Sequence, residues 1–226
     1  MKKGKKLHGN KETVVKVCNW LSLPLQALGC CILYLVIEAF SRHSLASAWS
    51  YMVESPWVFL YNAFLIFTTF MVVYLFRRRV LVRLIMSCFW LLLGIINGVI
   101  LANRVTPFTG PDLRNLSDGA KVVTKYLSKG TMILVAAALV ALLAFFVWVW
   151  IKGPKFQGKI RWYLNVPLIA LVIVLFTGAT NLALTKRVLS SYFVNIAFAY
   201  QDYGYPYCLA VTLFDTGISE PNGYSE

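Results

Sequence analysis

The sequence predicts an all-α integral membrane protein, with five transmembrane helices and amphipathic interfacial helices on the extracellular side. Of the 226 residues, 59% are hydrophobic and 14% are charged, and the mean hydropathy is +0.67. A soluble domain usually carries about a quarter charged residues, so this composition excludes one. Apolar segments of the roughly 20 residues that cross a bilayer core occur five times. These segments are residues 17–40, 56–76, 80–101, 131–151 and 162–184.

The basic residues predict the orientation. Lysine and arginine are concentrated in residues 1–16, 77–83 and 152–161, and none follows Arg187. Because short cytoplasmic loops are rich in these residues, the three groups share the cytoplasmic side if the chain crosses five times. The N-terminus is then cytoplasmic and the C-terminus extracellular. The net charge of +13 is explained by these span ends, so we expect no nucleic-acid partner.

We predict a basic cytoplasmic N-terminus over residues 1–16 and a five-helix transmembrane domain over residues 17–187. The first span opens that domain. It is longer than the apolar part of a signal peptide, so we predict that it is retained. The span ends at Glu38, and Arg42 lies four residues later, which is the spacing of a helical ion pair. Either Glu38 pairs with Arg42 near the membrane surface, or it faces a polar cavity, since ionisable residues in spans usually have a partner.

Two asparagines lie at similar depth in the outer half of the following spans. Asn62 is about two turns into the second span, and Asn97 is about as deep in the third. Together with Glu38 they could line an outer-leaflet pocket, or hydrogen bonds between helices could satisfy them. The third span also contains Gly94-x-x-x-Gly98, a spacing that favours close helix packing.

Residues 103–130 form a predicted interfacial shelf between the third and fourth spans. Thr109 and Asp112 have the spacing of a capping box, with Pro111 in the first turn. Beyond them, apolar residues fall on one helical face and basic residues on the other, a pattern typical of an interfacial helix.

The shelf is an exception to the charge rule, because it places five basic residues on the extracellular side. A phosphate-containing partner would explain this charge, and arginine at the end of a span can hold phosphate bidentately. The alternative is that these residues rest among bulk headgroups. The predicted lipid- and phosphate-binding residues are Arg104, Glu38, Asn62, Asn97, Lys121 and Lys125.

The segment after the fifth span, residues 188–218, is rich in aromatic residues. It predicts two helices on the extracellular surface, over residues 188–202 and 206–216, separated at Tyr203-Gly204-Tyr205-Pro206. Residues 219–226 have the composition of a linker. We expect them to begin a connection to an extracellular catalytic domain.

Several motifs, taken in order, resemble the membrane part of the lipoteichoic acid synthase family of Gram-positive bacteria. The order and spacing of the motifs carry the resemblance, rather than any one of them. They are IEAFSRHS at 37–44, WVFLYN at 57–62, Asn103-Arg104-x-x-Pro107 with Asp112-Leu113, and LFDTGI at 213–218 before Pro221-x-Gly223-Tyr224-Ser225.

This resemblance implies a phosphoglycerol transferase that polymerises glycerol phosphate from phosphatidylglycerol in the bacterial cell membrane. The family's catalytic domain is C-terminal, extracellular and sulfatase-like, with a threonine nucleophile and manganese. The present segment would anchor that domain and present lipid donor or polymer to it. The implied partners are therefore phosphatidylglycerol, the glycerol-phosphate polymer and the protein's own catalytic domain.

We predict no catalytic residue, metal ligand or cofactor within the 226 residues, and expect them to be inactive alone. His8 and His43 are the only histidines, and the predicted topology puts them on opposite sides of the membrane. Two other functions stay open. One is the membrane domain of a phosphoethanolamine transferase, and the other is a small transporter, flippase or scaffold without enzymatic activity. A transporter would favour inverted repeats and charges at mid-depth, and the spans have no mid-depth charge.

Overall fold

The computed structural model describes residues 22–115, 129–153, 156, 160 and 162–214. The described residues form helices joined by short loops. In chain order the helices are α1 (Ser22–Ser41), α2 (Leu45–Glu54), α3 (Pro56–Phe70), a 3₁₀ helix (Met71–Leu75), α4 (Arg79–Leu101), α5 (Gly110–Arg114), α6 (Lys129–Lys152), α7 (Trp162–Thr185), α8 (Ile196–Tyr203) and α9 (Tyr205–Phe214).

Four helical segments are long and apolar enough to cross a membrane. They are α1, α3 with its 3₁₀ continuation, α4 and α7, and they coincide with four of the five predicted spans. The fifth predicted span, residues 131–151, coincides with α6. The part of α6 that the structure describes with its side chains includes an apolar helix over Val140–Lys152. A helical protein of membrane type therefore agrees with the prediction, and the count of five spans stays a prediction.

Helices α1, α3 and α4 form the centre of the bundle. Tyr34 and Ile37 of α1 are fully buried, and the Tyr34 ring lies 4.8 Å from that of Phe59 in α3. The glycines of α4 face α1, where a Cβ atom on Gly98 would lie 2.8 Å from the carbonyl oxygen of Phe40. The Gly94-x-x-x-Gly98 spacing thus serves close packing within the chain.

Helix α7 packs along α3. The ring of Phe176 stacks on that of Tyr61 at 5.5 Å, and the Tyr61 hydroxyl lies 2.9 Å from that of Thr180. Near the other end, the side-chain amide of Asn165 donates to the carbonyl oxygen of Tyr74 at 2.8 Å. These polar contacts satisfy groups that would otherwise face lipid.

Short helices α2, α5, α8 and α9 lie together where α1, α4 and α7 end, and we call this the shelf end. Arg77, Arg78, Arg79 and Arg83 mark the opposite end, which we call the arginine end. Helix α2 had not been predicted. It begins after Ser44, whose hydroxyl accepts a hydrogen bond from the Ser47 N–H at 3.2 Å.

The prediction of a helix over residues 188–202 was wrong for its first half. Helix α8 begins only at Ile196, since the Asn195 side chain accepts a hydrogen bond from the Ala197 N–H at 2.9 Å and caps it. The backbone N–H groups of Val188 and Leu189 instead donate to the carbonyl oxygen of Ala183, at 2.9 and 3.2 Å. The break between the two surface helices is confirmed, because Gly204 separates α8 from α9 with a φ of 81°.

Candidate lipid-binding site at the shelf end

Glu38 lies at the end of α1 and is fully buried. Its Oε2 accepts a hydrogen bond from Nε of Arg42 at 3.0 Å, so the predicted ion pair is confirmed. Its Oε1 accepts from the backbone N–H of Tyr205 at 3.1 Å. The Arg42 guanidinium also donates to the carbonyl oxygen of Gln201 at 2.7 Å and lies 4.0 Å from the ring centre of Tyr51. The pair therefore joins α1 to both α8 and α9.

Asn62 of α3 is also fully buried. Its Nδ2 donates to the carbonyl oxygens of Val58 at 2.9 Å and Tyr203 at 2.8 Å. Its Oδ1 accepts from the backbone N–H of Tyr207 at 2.9 Å. The side chain thus holds both sides of residues 203–207, which we call the tyrosine turn. Gly204 is required there, because a Cβ atom would meet the Tyr34 hydroxyl and the Asn62 amide.

Asn97 holds the loop after α4 by hydrogen bonds, as Asn62 holds the tyrosine turn. It is fully buried, and its Nδ2 donates to the hydroxyl of Ser41 at 2.9 Å. Its Oδ1 accepts from the backbone N–H of Phe108 at 2.8 Å. Beside it, Nε2 of His43 lies 2.9 Å from the carbonyl oxygen of Gly98. These contacts fold the start of the shelf back onto the end of α1.

Arg104 forms an ion pair within the shelf. Its Nη1 and Nη2 donate to the two carboxylate oxygens of Asp112 at 3.1 and 2.5 Å, and its Nε donates to the carbonyl oxygen of Thr106 at 3.0 Å. Asp112 also accepts from the backbone N–H of Thr109 at 2.8 Å, and the predicted capping box is confirmed. Partial burial opposes ionisation of Asp112, but the hydrogen bonds from Arg104 and Thr109 outweigh it and lower the pKa of Asp112.

Helix α5 docks onto α9. The backbone N–H of Gly110 donates to the Thr212 hydroxyl at 3.0 Å, and a Cβ atom at Gly110 would collide with the Thr212 carbonyl group. Nη2 of Arg114 donates to the carbonyl oxygen of Leu213 at 3.0 Å. Helices α5 and α9 are consequently packed together as one unit. No sequence signal indicated this pairing, because its partners lie about 100 residues apart.

The structure brings the predicted site residues together in two groups. Glu38 and Asn62 meet at the tyrosine turn, whereas Asn97 and Arg104 meet at the loop that precedes α5. Lys121 and Lys125 lie outside the described residues. The polar side-chain atoms of Glu38, Asn62 and Asn97 are engaged by protein groups, so this geometry gives these residues an anchoring role. The Arg104 side chain remains 42% exposed, and its N–H groups donate to Asp112 and to the carbonyl oxygens of Thr106 and Pro107.

An apolar groove of about 790 Å³ runs between α3, α4, α7 and α9. This volume falls within the roughly 300–1,000 Å³ of sites that hold small molecules. Side chains from all four helices line it, among them Leu65, Leu93, Phe176, Leu209 and Leu213. Sequence reasoning did not predict the groove, because its walls come from four separate stretches of the chain.

The groove has a charged rim. Leu113 of α5 lines it, and we use the word rim for the charged residues that flank Leu113 in sequence, Asp112 and Arg114, together with Arg104, which pairs with Asp112. Tyr207, which also lines the groove, has a pKa raised mainly by burial and stays neutral. Burial likewise raises the pKa of Cys208. An apolar body with a charged rim and neutral inner groups can bind an amphipathic anion.

Among the described residues, no three His, Cys, Asp or Glu side chains come together. No protein-family model, curated protein or solved structure matches the sequence.

Proposed function

We propose that this chain is the membrane domain of a phosphoglycerol transferase that polymerises glycerol phosphate from phosphatidylglycerol. In this proposal the domain spans the bacterial cell membrane five times, anchors an extracellular catalytic domain and presents lipid donor or polymer to it. The observation that carries the proposal is the apolar groove with its charged rim at the shelf end.

The groove takes an acyl chain of the lipid. Its walls are aliphatic and aromatic, and it lies beside helices that are long and apolar enough to cross a membrane. Four polar groups in it are paired within the protein: the Trp90 indole N–H donates to the Thr69 hydroxyl at 3.0 Å, and the Tyr61 hydroxyl pairs with Thr180. An acyl chain in the groove would therefore meet apolar walls and leave these four polar groups paired.

The rim takes the anionic headgroup. Over residues 102–115 the chain carries two guanidinium groups, Arg104 and Arg114, and one carboxylate, Asp112, so the described shelf is positive. A guanidinium group attracts phosphate by its charge and can donate N–H hydrogen bonds to it. Lys121 and Lys125 are predicted to add to this charge. An anionic lipid such as phosphatidylglycerol matches the rim better than a zwitterionic lipid.

The tyrosine turn fixes the position of α9, which forms one wall of the groove. Glu38 and Asn62 bind its backbone from α1 and α3, and α9 runs from this turn along the groove to Leu213. In the proposal the catalytic domain follows α9. A lipid headgroup leaving the groove would then meet that domain at a fixed position.

Photocrosslinking tests lipid binding directly. The purified chain is mixed with phosphatidylglycerol that carries a diazirine in one acyl chain, and labelled peptides are mapped by mass spectrometry. We expect labelling in α7 and α9, and competition by phosphatidylglycerol but not by phosphatidylcholine. Ala210→Trp fills the groove and should lower the labelling at least about tenfold, equivalent to about 1.4 kcal/mol.

The control is Ala170→Trp, at an exposed position of α7 that does not line the groove, and it should label like the wild type. Unchanged labelling in Ala210→Trp would remove the groove from the proposal. Equal competition by the two lipids would instead remove the selectivity for an anionic headgroup.

The 226 residues alone should not transfer glycerol phosphate, because their two histidines and the predicted topology give no metal-bound nucleophile. The purified chain is incubated with labelled phosphatidylglycerol and manganese, and released diacylglycerol is measured. We expect the rate of a protein-free control. A faster release would contradict the division between a binding domain and a catalytic domain.

A further inference from the structure

A second cavity, of about 350 Å³, extends from the arginine end between the first three turns of α1, the first three turns of α4 and the last turn of α3. Leu25, Leu33 and Phe70 form its apolar wall, and Ser22, Gln26, Arg83 and Ser87 supply its polar groups. Leu25 is 55% exposed on the surface of α1, so the cavity adjoins the face of the helix that would meet lipid.

Hydrogen-bond donors predominate in this cavity. Nε of Arg83 donates to Oε1 of Gln26 at 3.1 Å, which occupies the acceptor of the amide. Nε2 of Gln26 and Nη2 of Arg83 are buried and have no hydrogen-bond partner among the described residues. Gln26 is only 6% exposed. Buried donors without partners are unfavourable, so the cavity is suited to a ligand that supplies acceptors.

The charge of Arg83 points to an anion. The residues that line the cavity include no aspartate or glutamate, and the two ion pairs of the described chain do not involve Arg83. The Arg83 guanidinium lies 5.9 Å from the Tyr74 ring centre, at the outer limit of a cation–π contact. Only Glu12 among the acidic residues precedes Glu38, and Glu12 lies outside the described residues.

Ser22 supports the same conclusion. The Tyr74 hydroxyl donates to Oγ of Ser22 at 3.4 Å, which leaves the Ser22 hydroxyl hydrogen for another acceptor. A guanidinium, an amide N–H and a hydroxyl then converge on one space. This set of donors is typical of phosphate binding.

We infer that the arginine-end cavity is a second site, which binds the phosphate group of an anionic phospholipid from the leaflet opposite the shelf. Arg83 and Gln26 hold the phosphate, and Leu25, Leu33 and Phe70 contact the glycerol and the first acyl carbons. This site is separate from the groove, so a test that refutes binding at one of them leaves the other unaffected.

Protection of arginine from phenylglyoxal tests the inference residue by residue. The purified chain is treated with the reagent, and modification of Arg83 and of exposed Arg77 is followed by peptide mass spectrometry. Arg77 is the internal control, because it belongs to the same basic group but does not line the cavity. Three additions are compared: dioctanoyl phosphatidylglycerol, dioctanoylglycerol without phosphate, and inorganic phosphate.

We expect phosphatidylglycerol to slow modification of Arg83 and not of Arg77. If millimolar inorganic phosphate protects Arg83 equally, the bound group is a free phosphate; if it does not, the ligand is the lipid. Protection by dioctanoylglycerol to the same degree, or no difference between Arg83 and Arg77, would overturn the site.

Gln26→Leu keeps the approximate size of the side chain and removes its amide. We expect it to raise the lipid concentration needed for half protection at least about tenfold, as expected when a hydrogen bond to a charged group is lost. Ser87→Ala, a smaller change in the same cavity, should weaken protection less. Glu12→Gln should leave lipid protection unchanged; if it alone accelerates modification of Arg83 without lipid, Glu12 is the partner of Arg83 and the site is refuted.

Discussion

Asn62 is one buried side chain that binds three backbone groups, one each from α3, α8 and α9. Both N–H groups of its amide donate, to Val58 and Tyr203, and its oxygen accepts from Tyr207. A residue of similar size without polar atoms would keep the packing and lose these bonds. The position of α9 over the groove should therefore depend on this amide.

Asn62→Leu should loosen α8 and α9. It leaves the Tyr207 N–H buried without a partner, which costs about 1–3 kcal/mol. Hydrogen exchange of the α9 amides should accelerate, and the Tm in detergent should fall. The control is Asn103→Ala, because Asn103 is exposed and bonds only the carbonyl oxygen of Val99. Exchange in α9 that matches the wild type would show that Asn62 does not hold the turn.

Asp112 predicts a pH dependence of stability. The pKa of Asp112 is lower in the folded protein than in the unfolded chain. Ionised Asp112 therefore stabilises the folded state fully above the unfolded pKa of about 3.9. This stabilisation is lost as the pH falls through the lower pKa of the folded protein. Asp112→Asn should thus lower Tm at neutral pH and approach the wild type in acid. The measurement is Tm against pH for both proteins. A Tm difference that grows in acid would contradict the ion pair with Arg104.

At the scale of elements, the contact between α1 and α4 positions the shelf. Gly98 lets α4 approach the backbone of α1 at Phe40, and Asn97 and His43 add hydrogen bonds at the same level. The start of the shelf is fixed only if these two helices remain close.

Gly98→Ala should separate the two helices. The added methyl group would lie 2.8 Å from the Phe40 carbonyl oxygen, so α1 must shift, at a cost of about 1–3 kcal/mol. Gly178→Ala is the matched control, because a Cβ atom there meets nothing within 4 Å. Alanine in that helix should stabilise by up to about 1 kcal/mol. An equal rise in Tm for both variants would refute the close contact.

The long apolar helices were predictable and the short helices at the shelf end only in part, for one physical reason. A helix in lipid must form all its backbone hydrogen bonds internally and expose apolar side chains. A continuous apolar stretch of sequence therefore reveals it. Helices α2 and α8 begin at single capping residues, Ser44 and Asn195, which a hydropathy window does not detect. The capping box of α5 was found because Thr109 and Asp112 are only three residues apart.

The site shows the same limit. Glu38, Asn62 and Asn97 were recognisable as polar residues at similar depth, yet their partners Tyr205, Tyr207 and Phe108 are backbone groups supplied by other segments. Sequence also gave no indication of Gln26 and Arg83 as a pair, since 57 residues separate them.

At the scale of the whole molecule, the orientation in the membrane is predicted from charge and can be measured. Cysteine variants at positions 118 and 222, in a chain whose five native cysteines are replaced, should react with an impermeant maleimide on intact cells. A cysteine at position 155 should react only after the membrane is opened. The reverse pattern would place the shelf in the cytoplasm and exclude a donor site for an extracellular polymerase.

Conversion of phosphatidylglycerol to glycerol-phosphate polymer tests the central claim most directly. The gene in its full reading frame is expressed in cells that lack their own activity, as wild type, Ala210→Trp or Ala170→Trp, at matched protein levels. Polymer and released diacylglycerol are measured in isolated membranes supplied with labelled phosphatidylglycerol. We predict that wild type and Ala170→Trp make polymer, and that Ala210→Trp loses at least about nine-tenths of the rate, or about 1.4 kcal/mol. Polymer made by Ala210→Trp at the wild-type rate, or none made by the wild type, would contradict the account.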